Sequence, residues 1–139
     1  MIEREQRQLK EYKYWSVRLH GNQGYLGRCL IWCKRKDSED LSQCTQEEWS
    51  ELAKIIKELK LAAEKLFQPD RFNYAFLGNI EPHLHGHFIP RYKETREYDG
   101  LVFQDDRWGQ NYQTNADFVI PDNSILNIVE DYKSALDSN

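Results

Sequence analysis

Little in this sequence can serve as a covalent staple, a membrane span or an export signal. Only three cysteines occur in 139 residues, Cys29, Cys33 and Cys44. An odd number without CxxC spacing makes neither a disulfide framework nor a thiolate metal knot. It reads as free, partly buried thiols in a reducing compartment. No apolar run approaches the roughly 18–20 residues of a bilayer span, so no membrane segment is expected. The opening Met1-Ile2-Glu3-Arg4-Glu5-Gln6-Arg7 lacks the apolar stretch of a signal peptide. Together these absences predict a cytoplasmic protein. Cations are not in surplus either: 19 Lys and Arg against 23 Asp and Glu leave a net charge of -4. A protein that coats a nucleic acid polymer needs many phosphate-neutralising side chains, so that class is not expected. A small phosphorylated ligand needs only a local set of donors and stays open.

The length and the 40% hydrophobic content suit one globular domain with a genuine core over residues 1–139. Residues 1–13 read as a loosely attached arm or short helix. Tyr14–His20 and Gly27–Lys34 read as strands joined by the turn chemistry of Gly21-Asn22-Gln23-Gly24, and so as a hairpin. Thr45 with Glu48 is a capping-box signature. Behind it Trp49, Leu52, Ile55, Ile56, Leu59, Ala63 and Leu66 recur at helical spacing, a stripe for the core, and Gln68-Pro69-Asp70 stops the helix. Phe72–Leu77 reads as a third strand closed by Gly78-Asn79. Lys93 to Gly109 reads as long and mostly irregular. A C-terminal extension, residues 110–139, carries a helix with Ile125, Leu126, Ile128, Val129, Tyr132 and Leu136 in periodic positions. Strands mixed with separated helices give an α+β fold, one antiparallel sheet of about five strands with a long helix and a C-terminal helix.

Histidine is scarce as well, four in all, yet three fall within five residues between two prolines, in Pro82-His83-Leu84-His85-Gly86-His87-Phe88-Ile89-Pro90. A strand projects alternate side chains to one face, so His83, His85 and His87 form one row, with Leu84, Gly86 and Phe88 behind it. The flanking prolines fit strand ends. Two chemistries suit such a row. Imidazoles can converge on zinc or a similar ion. Alternatively, a neutral imidazole can attack phosphorus and form a covalent phosphoramidate that water resolves, while its neighbours orient it and donate hydrogen bonds. A purely structural role fits three alternating histidines poorly. The fourth, His20, is remote in sequence and offers no evident partner.

The run His83-Leu84-His85-Gly86-His87-Phe88-Ile89 resembles the histidine-triad motif. The resemblance extends to Phe72–Asn79, to Pro90-Arg91-Tyr92 and, loosely, to Gly24–Arg28 through Lys36, so residues ~14 to 109 match in outline. It is that of the histidine-triad (HIT) family, in its bacterial and archaeal, diadenosine polyphosphate hydrolase-like form. The resemblance implies a five-stranded antiparallel sheet, frequently paired into a homodimer through the sheet edge or long helix. It implies hydrolysis or nucleotidyl transfer at the α-phosphate of dinucleoside polyphosphates or nucleoside phosphoramidates. It assigns His85 as nucleophile, His87 as hydrogen-bond donor to phosphate or leaving group, and His83 as the holder of the ring arrangement. Asn73 would assist phosphate binding, Gly78 and Asn79 would lie near the phosphate, and Asn22 is a ribose candidate against an ordinary turn role. The mechanism requires no cofactor and no catalytic metal, with magnesium entering only on a polyphosphate substrate. The remaining alternatives are a metal-binding protein using the histidine strand and a nucleotide-binding module with little turnover.

The sequence departs from the family pattern in three places. Gly86 stands where a hydrophobic residue is expected, which predicts weaker packing behind the strand. Arg28 replaces the His that commonly follows the glycine, and Asp37 stands roughly where many members carry a further His. These predict the loss of a phosphate-site donor. Arg28, Lys34, Arg35 and Lys36 read as a solvated face, with a polyphosphate contact as the minority reading. Three of the four tryptophans are expected to fill core; Trp108 is expected to close over a ligand or meet a partner.

Overall fold

The computed structural model describes residues 2–138. Five strands, β1 (Gln8–Glu11), β2 (Trp15–Leu19), β3 (Cys29–Cys33), β4 (Arg71–Ala75) and β5 (His85–Arg91), form one antiparallel sheet in the order β1-β2-β3-β5-β4. Helix α1 (Gln46–Phe67) connects β3 to β4, and α2 (Asp122–Asp137) closes the chain. The expected α+β architecture and the β2–β3 hairpin are present, and β4 pairs antiparallel with β5. Among the described residues no helix is long and apolar enough to cross a membrane.

Alternation along the strands gives the sheet two different faces. Trp15, Val17 and Leu19 of β2, Cys29, Ile31 and Cys33 of β3 and Phe88 of β5 are fully buried and pack with Ile55, Leu59, Ile128 and Leu136 of the helices. The register then places Arg18, Leu30 and His87 in one row across the opposite face, and Ser16, Trp32 and His85 in the next.

Thr45 and Glu48 form the expected reciprocal capping box at the start of α1. Glu48 is also buried, because its carboxylate accepts from Arg35 and from the Cys33 thiol. That inward position belongs to residue 48, so the next residue along the helix turns outward. Trp49 is 42% exposed and is not core, contrary to the stripe read from sequence; Ala62 and Phe67 complete the buried face instead. Gln68 adopts a left-handed conformation and ends the helix, and the guanidinium of Arg96 caps it by donating to the Phe67 and Gln68 carbonyls.

Four further expectations are corrected. The N-terminal arm is a 3-10 turn (Glu5–Arg7) followed by edge strand β1, tied down because Leu9 is buried and Lys10 and the Tyr12 hydroxyl both bond Glu58. The segment after residue 93 is not irregular throughout. Strands β6 (Arg96–Tyr98) and β7 (Leu101–Phe103) make a hairpin around Asp99-Gly100, both at positive φ as a tight two-residue hairpin turn requires. The histidine strand begins at His85, not at Pro82. Pro90 lies inside β5 but beyond the last residue of β5 paired with β3, so its missing N–H interrupts no bond on that side. Finally, Gly86 is no packing defect. The Phe76 ring lies where a side chain would be, at 2.3 Å from an ideal Cβ.

From Phe103 the chain runs as an irregular strap across the histidine face. Its anchor is Arg91, whose five N–H donors are all used. Nε and Nη2 bond Asp105 at 2.7 and 3.1 Å, Nη1 bonds Asn73 Oδ1 and the Gln110 carbonyl, and Nη2 bonds the Arg107 carbonyl. Both charged side chains are buried.

Asp105→Asn, which leaves the guanidinium without its counter-charge, is expected to lower unfolding free energy by about 3–5 kcal/mol. Urea denaturation measures this, and hydrogen exchange across 104–118 should accelerate together with it. Gly86→Val should cost about 1–3 kcal/mol by overpacking against Phe76; wild-type stability in that variant would mean the ring is not held there.

Candidate active site

The sheet positions the histidines, and their hydrogen bonds fix where the protons lie. His85 Nδ1 is 2.7 Å from the His83 carbonyl oxygen. A carbonyl only accepts, so Nδ1 carries the proton and Nε2 holds a free lone pair. His83 Nε2 lies 2.6 Å from the Cys33 carbonyl and is a donor by the same argument. Its ring stacks on Trp32 at 4.5 Å, which also lies 5.4 Å from the His85 ring. His83 thus sits just before β5, bonded to the end of β3 and stacked on the indole, and fixes the approach of the chain to His85.

His87 shows the opposite pattern. Its Nδ1 meets Nη2 of Arg28 at 3.2 Å, and a guanidinium only donates. Nδ1 therefore accepts, and the neutral ring carries its proton on Nε2. Burial, then the charge of Arg28 and the neighbouring His85, push the His87 pKa down to about 4. The neutral form therefore persists over the whole range above that value. The rings of His85 and His87 are 5.4 Å apart.

His20 belongs to the same group. It follows β2, pairs through its backbone N–H with the Arg28 carbonyl, and brings its ring to 5.7 Å from His87. Burial, then Arg28 and His87, lower its pKa to about 3. Nothing in the linear spacing pointed to it, although a β2–β3 hairpin read with strict register would have set His20 opposite Arg28.

A cleft of about 580 Å³ opens over this face, lined among others by His20, Arg28, Trp32, His85 and His87. Gly78 and Asn79 line it too, on the loop that carries the almost fully exposed Ile80. The strap supplies Tyr112 and Thr114 to the wall, and Thr114 Oγ1 accepts from Arg28 Nη1 at 2.8 Å. An adjoining cleft of about 610 Å³ shares Leu77, Tyr112 and Thr114 with the first and holds Asn73. Asn73 Oδ1 is committed to Arg91.

Among the residues expected from sequence, His85, His87, Gly78 and Asn79 come together in one cleft, His83 lies behind them, and Asn73 sits in the neighbouring lobe. Asn22 stands apart. Its Oδ1 accepts from Gly24 N–H and its Nδ2 donates to the Asn115 carbonyl, so both ends serve the turn and the strap. Arg28 is a donor at the site and not a loss of one. Asp37 is exposed in a turn at φ +61. Lys34 and Arg35 pair with Glu11 and Glu48 on other surfaces. Of the tryptophans, Trp15 is core, Trp32 lines the cleft and Trp108 lies over Arg71 on β4.

Among the described residues no group of three or more His, Cys, Asp or Glu is arranged to hold an ion. The permanent charge of Arg28 opposes a cation beside His87.

The fold is shared with solved structures. A histidine triad nucleotide-binding protein from Sulfolobus tokodaii strain 7 is 16% identical with a TM-score of 0.72, the match covering 95% of this chain and 84% of that one. A histidine triad protein from Marinobacter aquaeolei VT8 is 20% identical with a TM-score of 0.70, covering 94% and 88%. A zinc-bound histidine triad family protein from Mycobacterium smegmatis is 18% identical with a TM-score of 0.63, covering 94% and 84%. At such identities the likeness is one of fold. No curated protein matches in sequence. The model of the HIT domain, however, matches residues 3–94, about two thirds of the chain and all five strands of the main sheet. This chain belongs to the HIT, or histidine-triad, family.

Proposed function

We propose that the protein is a nucleotide hydrolase or nucleotidyl transferase that works through a covalent nucleotidyl-His85 intermediate. The observation that carries this reading is the complementary protonation of His85 and His87 side by side in one cleft. His85 offers the lone pair of Nε2, and His87 offers a proton on Nε2. In the proposed step Nε2 of His85 attacks the α-phosphorus, the N–P bond forms and the bond to the leaving group breaks. The attacking ring gains positive charge, which the His83 carbonyl stabilises through the Nδ1–H hydrogen bond. The His87 Nε2–H donates a hydrogen bond to the leaving oxygen or to a phosphoryl oxygen. Water, or another acceptor, then attacks the same phosphorus, releases the nucleotide and restores the His85 lone pair.

Around these two residues, Arg28 supplies fixed positive charge to the phosphoryl group, and Gly78 and Asn79 bound the phosphate region. Asn73 Nδ2 is without a protein hydrogen bond among the described residues, and it is the donor facing the adjoining lobe. The route needs no catalytic metal; magnesium would travel with a polyphosphate substrate. We also propose that two copies pair through β4, a free sheet edge that carries the exposed Tyr74. A cytoplasmic setting would keep Cys29, Cys33 and Cys44, none of them in a disulfide, as free thiols.

Intact-protein mass measured briefly after mixing with a diadenosine polyphosphate or an adenylylated amine, without an acid quench, should show an adduct of one nucleoside monophosphate. His85→Asn should abolish the adduct and turnover while still binding nucleotide. Turnover that persists in that variant would overturn the nucleophile assignment. Long-range nitrogen–proton NMR should find His87 protonated on Nε2 and titrating near pH 4, against roughly 6.5 for an unperturbed histidine. A midpoint near 6.5 would overturn the neutral-donor role.

A further inference from the structure

His20 brings a fourth imidazole to the cleft, and several bonds fix its place. It stands one residue beyond β2, where its backbone N–H donates to the Arg28 carbonyl at 2.9 Å. The buried Gln23 side chain clamps this pair. Its Nε2 donates to the His20 and Arg28 carbonyls at 2.9 and 3.0 Å, and its Oε1 accepts from the Gly27 N–H at 2.8 Å. The ring is held as well. The Asn22 backbone N lies 2.9 Å from His20 Nδ1, and a backbone N–H only donates, so Nδ1 accepts. The Asn22 carbonyl oxygen, 3.2 Å from the same nitrogen, is the longer contact and receives no proton from it. The neutral ring therefore carries its proton on Nε2, the tautomer found for His87. That Nε2 has no hydrogen-bond partner among the described residues, and the half-buried ring lines the cleft.

Register sets the three rings in steps along the sheet. His85 is level with Trp32 of β3 and His87 with Leu30. His20, bonded to Arg28, is one row further on. The ring centroids are 5.4 Å apart from His85 to His87 and 5.7 Å apart from His87 to His20. Arg28 acts on both of the latter rings: burial, then its charge, lower their pKa values to about 4 and about 3. Both therefore remain neutral N–H donors together. A role confined to the turn would use only Nδ1 of His20, and the free Nε2–H lies outside it.

We propose that His20 is a further catalytic residue, whose Nε2–H donates a hydrogen bond to the leaving group beside His87. The proposal rests on the nucleotidyl-transfer reading and adds a second donor to it. Attack in line from His85 Nε2 puts the leaving atom on the far side of the phosphorus. With the phosphorus over His85, that side faces His87, Arg28 and His20. The bond to the leaving group breaks with its electron pair going to the departing atom. No proton leaves the His20 ring, whose N–H stabilises the charge that develops there. His20 and His87 hold the departing group from β2 and β5, and Arg28 supplies fixed charge beside them.

Two variants separate the nitrogens of the ring. In His20→Asn the amide oxygen takes the place of Nδ1 and keeps the bond from Asn22, but nothing reaches the position of Nε2. In His20→Gln the longer amide restores an N–H near Nε2 and gives up the bond to the turn. The measurement is the single-turnover rate of nucleotidyl adduct formation from diadenosine tetraphosphate on the full-length protein, read by intact mass. His20→Asn should form the adduct about 100-fold more slowly than wild type, as when one oxyanion donor is lost, and His20→Gln within about tenfold of wild type. AMP has no leaving group and should bind His20→Asn as tightly as wild type in calorimetry. Nitrogen–proton NMR of the free protein should find His20 protonated on Nε2. A wild-type rate in His20→Asn, or a His20→Gln variant no faster than His20→Asn, overturns the leaving-group role and leaves transfer through His85 intact. Loss of AMP binding in His20→Asn, or a proton found on Nδ1, overturns it as well. An adduct missing from wild type overturns the transfer reading, and the proposal with it.

Discussion

The buried guanidinium of Arg91 is the constraint on which the rest of the site depends. It sits at the end of β5, in the strand that carries the histidines, and every one of its donors is met. Three of its partners, Asp105 and the carbonyls of Arg107 and Gln110, belong to a segment with no regular secondary structure. A strap of that kind cannot hold its course by ladder hydrogen bonds, so it is held by this charge together with side-chain bonds from Tyr25, Asn22 and Arg28. Burying an ion pair adds little net stability over an apolar core, but removing one partner is costly, and this makes the arrangement specific. The strap therefore has one course, and that course delivers Tyr112 and Thr114 to the cleft. Thr114 in turn holds Arg28, and Arg28 holds His87. A chain of polar contacts runs from a structural ion pair to His87 in the cleft.

The proton positions follow from equally local causes. Three imidazoles on one strand would be interchangeable in water. Here each has a different partner: a β3 carbonyl for His83, the His83 carbonyl for His85 and a guanidinium for His87. Acceptors protonate the facing nitrogen, and the guanidinium deprotonates it. One row thereby contains a lone pair and a donor on the corresponding Nε2 atoms of adjacent members. The low dielectric of the half-buried site then keeps His87 and His20 uncharged.

Much of this was legible in the sequence, and the reasons differ by element. The helix and the three central strands carry their own periodicity, so α1, β2, β3 and β5 were recoverable as elements. The histidine row was legible because alternation alone assigns a face. Edge strand β1 was not, since four residues with one buried leucine give no alternation to read. The β6–β7 hairpin was recoverable in principle from Asp99-Gly100, but the surrounding charge obscured it. Trp49 was misplaced because a buried carboxylate took the inward position, an outcome set by Arg35 and Cys33 from another element. His20 was missed, and Arg28 was read chiefly as part of a solvated face, for the same kind of reason. Their partners are distant in sequence, and only the hairpin register and the strap bring them to His87. Local pattern predicted the frame, while side chains that act through distant partners had to be seen in place.

Arg28 also explains how a departure from the family pattern can serve the same chemistry. An imidazole in its place would be neutral or charged according to pH, whereas a guanidinium stays charged throughout. That permanence has a cost in the empty site. Arg28 is 3% exposed, its Nε is buried without a hydrogen-bond partner among the described residues, and the Tyr112 ring lies 5.1 Å from its guanidinium. A buried donor left unmatched calls for a reason. On the proposed function a phosphate in the cleft would supply one, because it would bring a counter-charge to the guanidinium. The stability forgone by burying Arg28 would then be recovered on binding, and most fully when the phosphoryl oxygens carry the most charge. Catalysis gains only from interactions that strengthen in the transition state, and a preformed, under-compensated guanidinium beside His87 is placed to provide one.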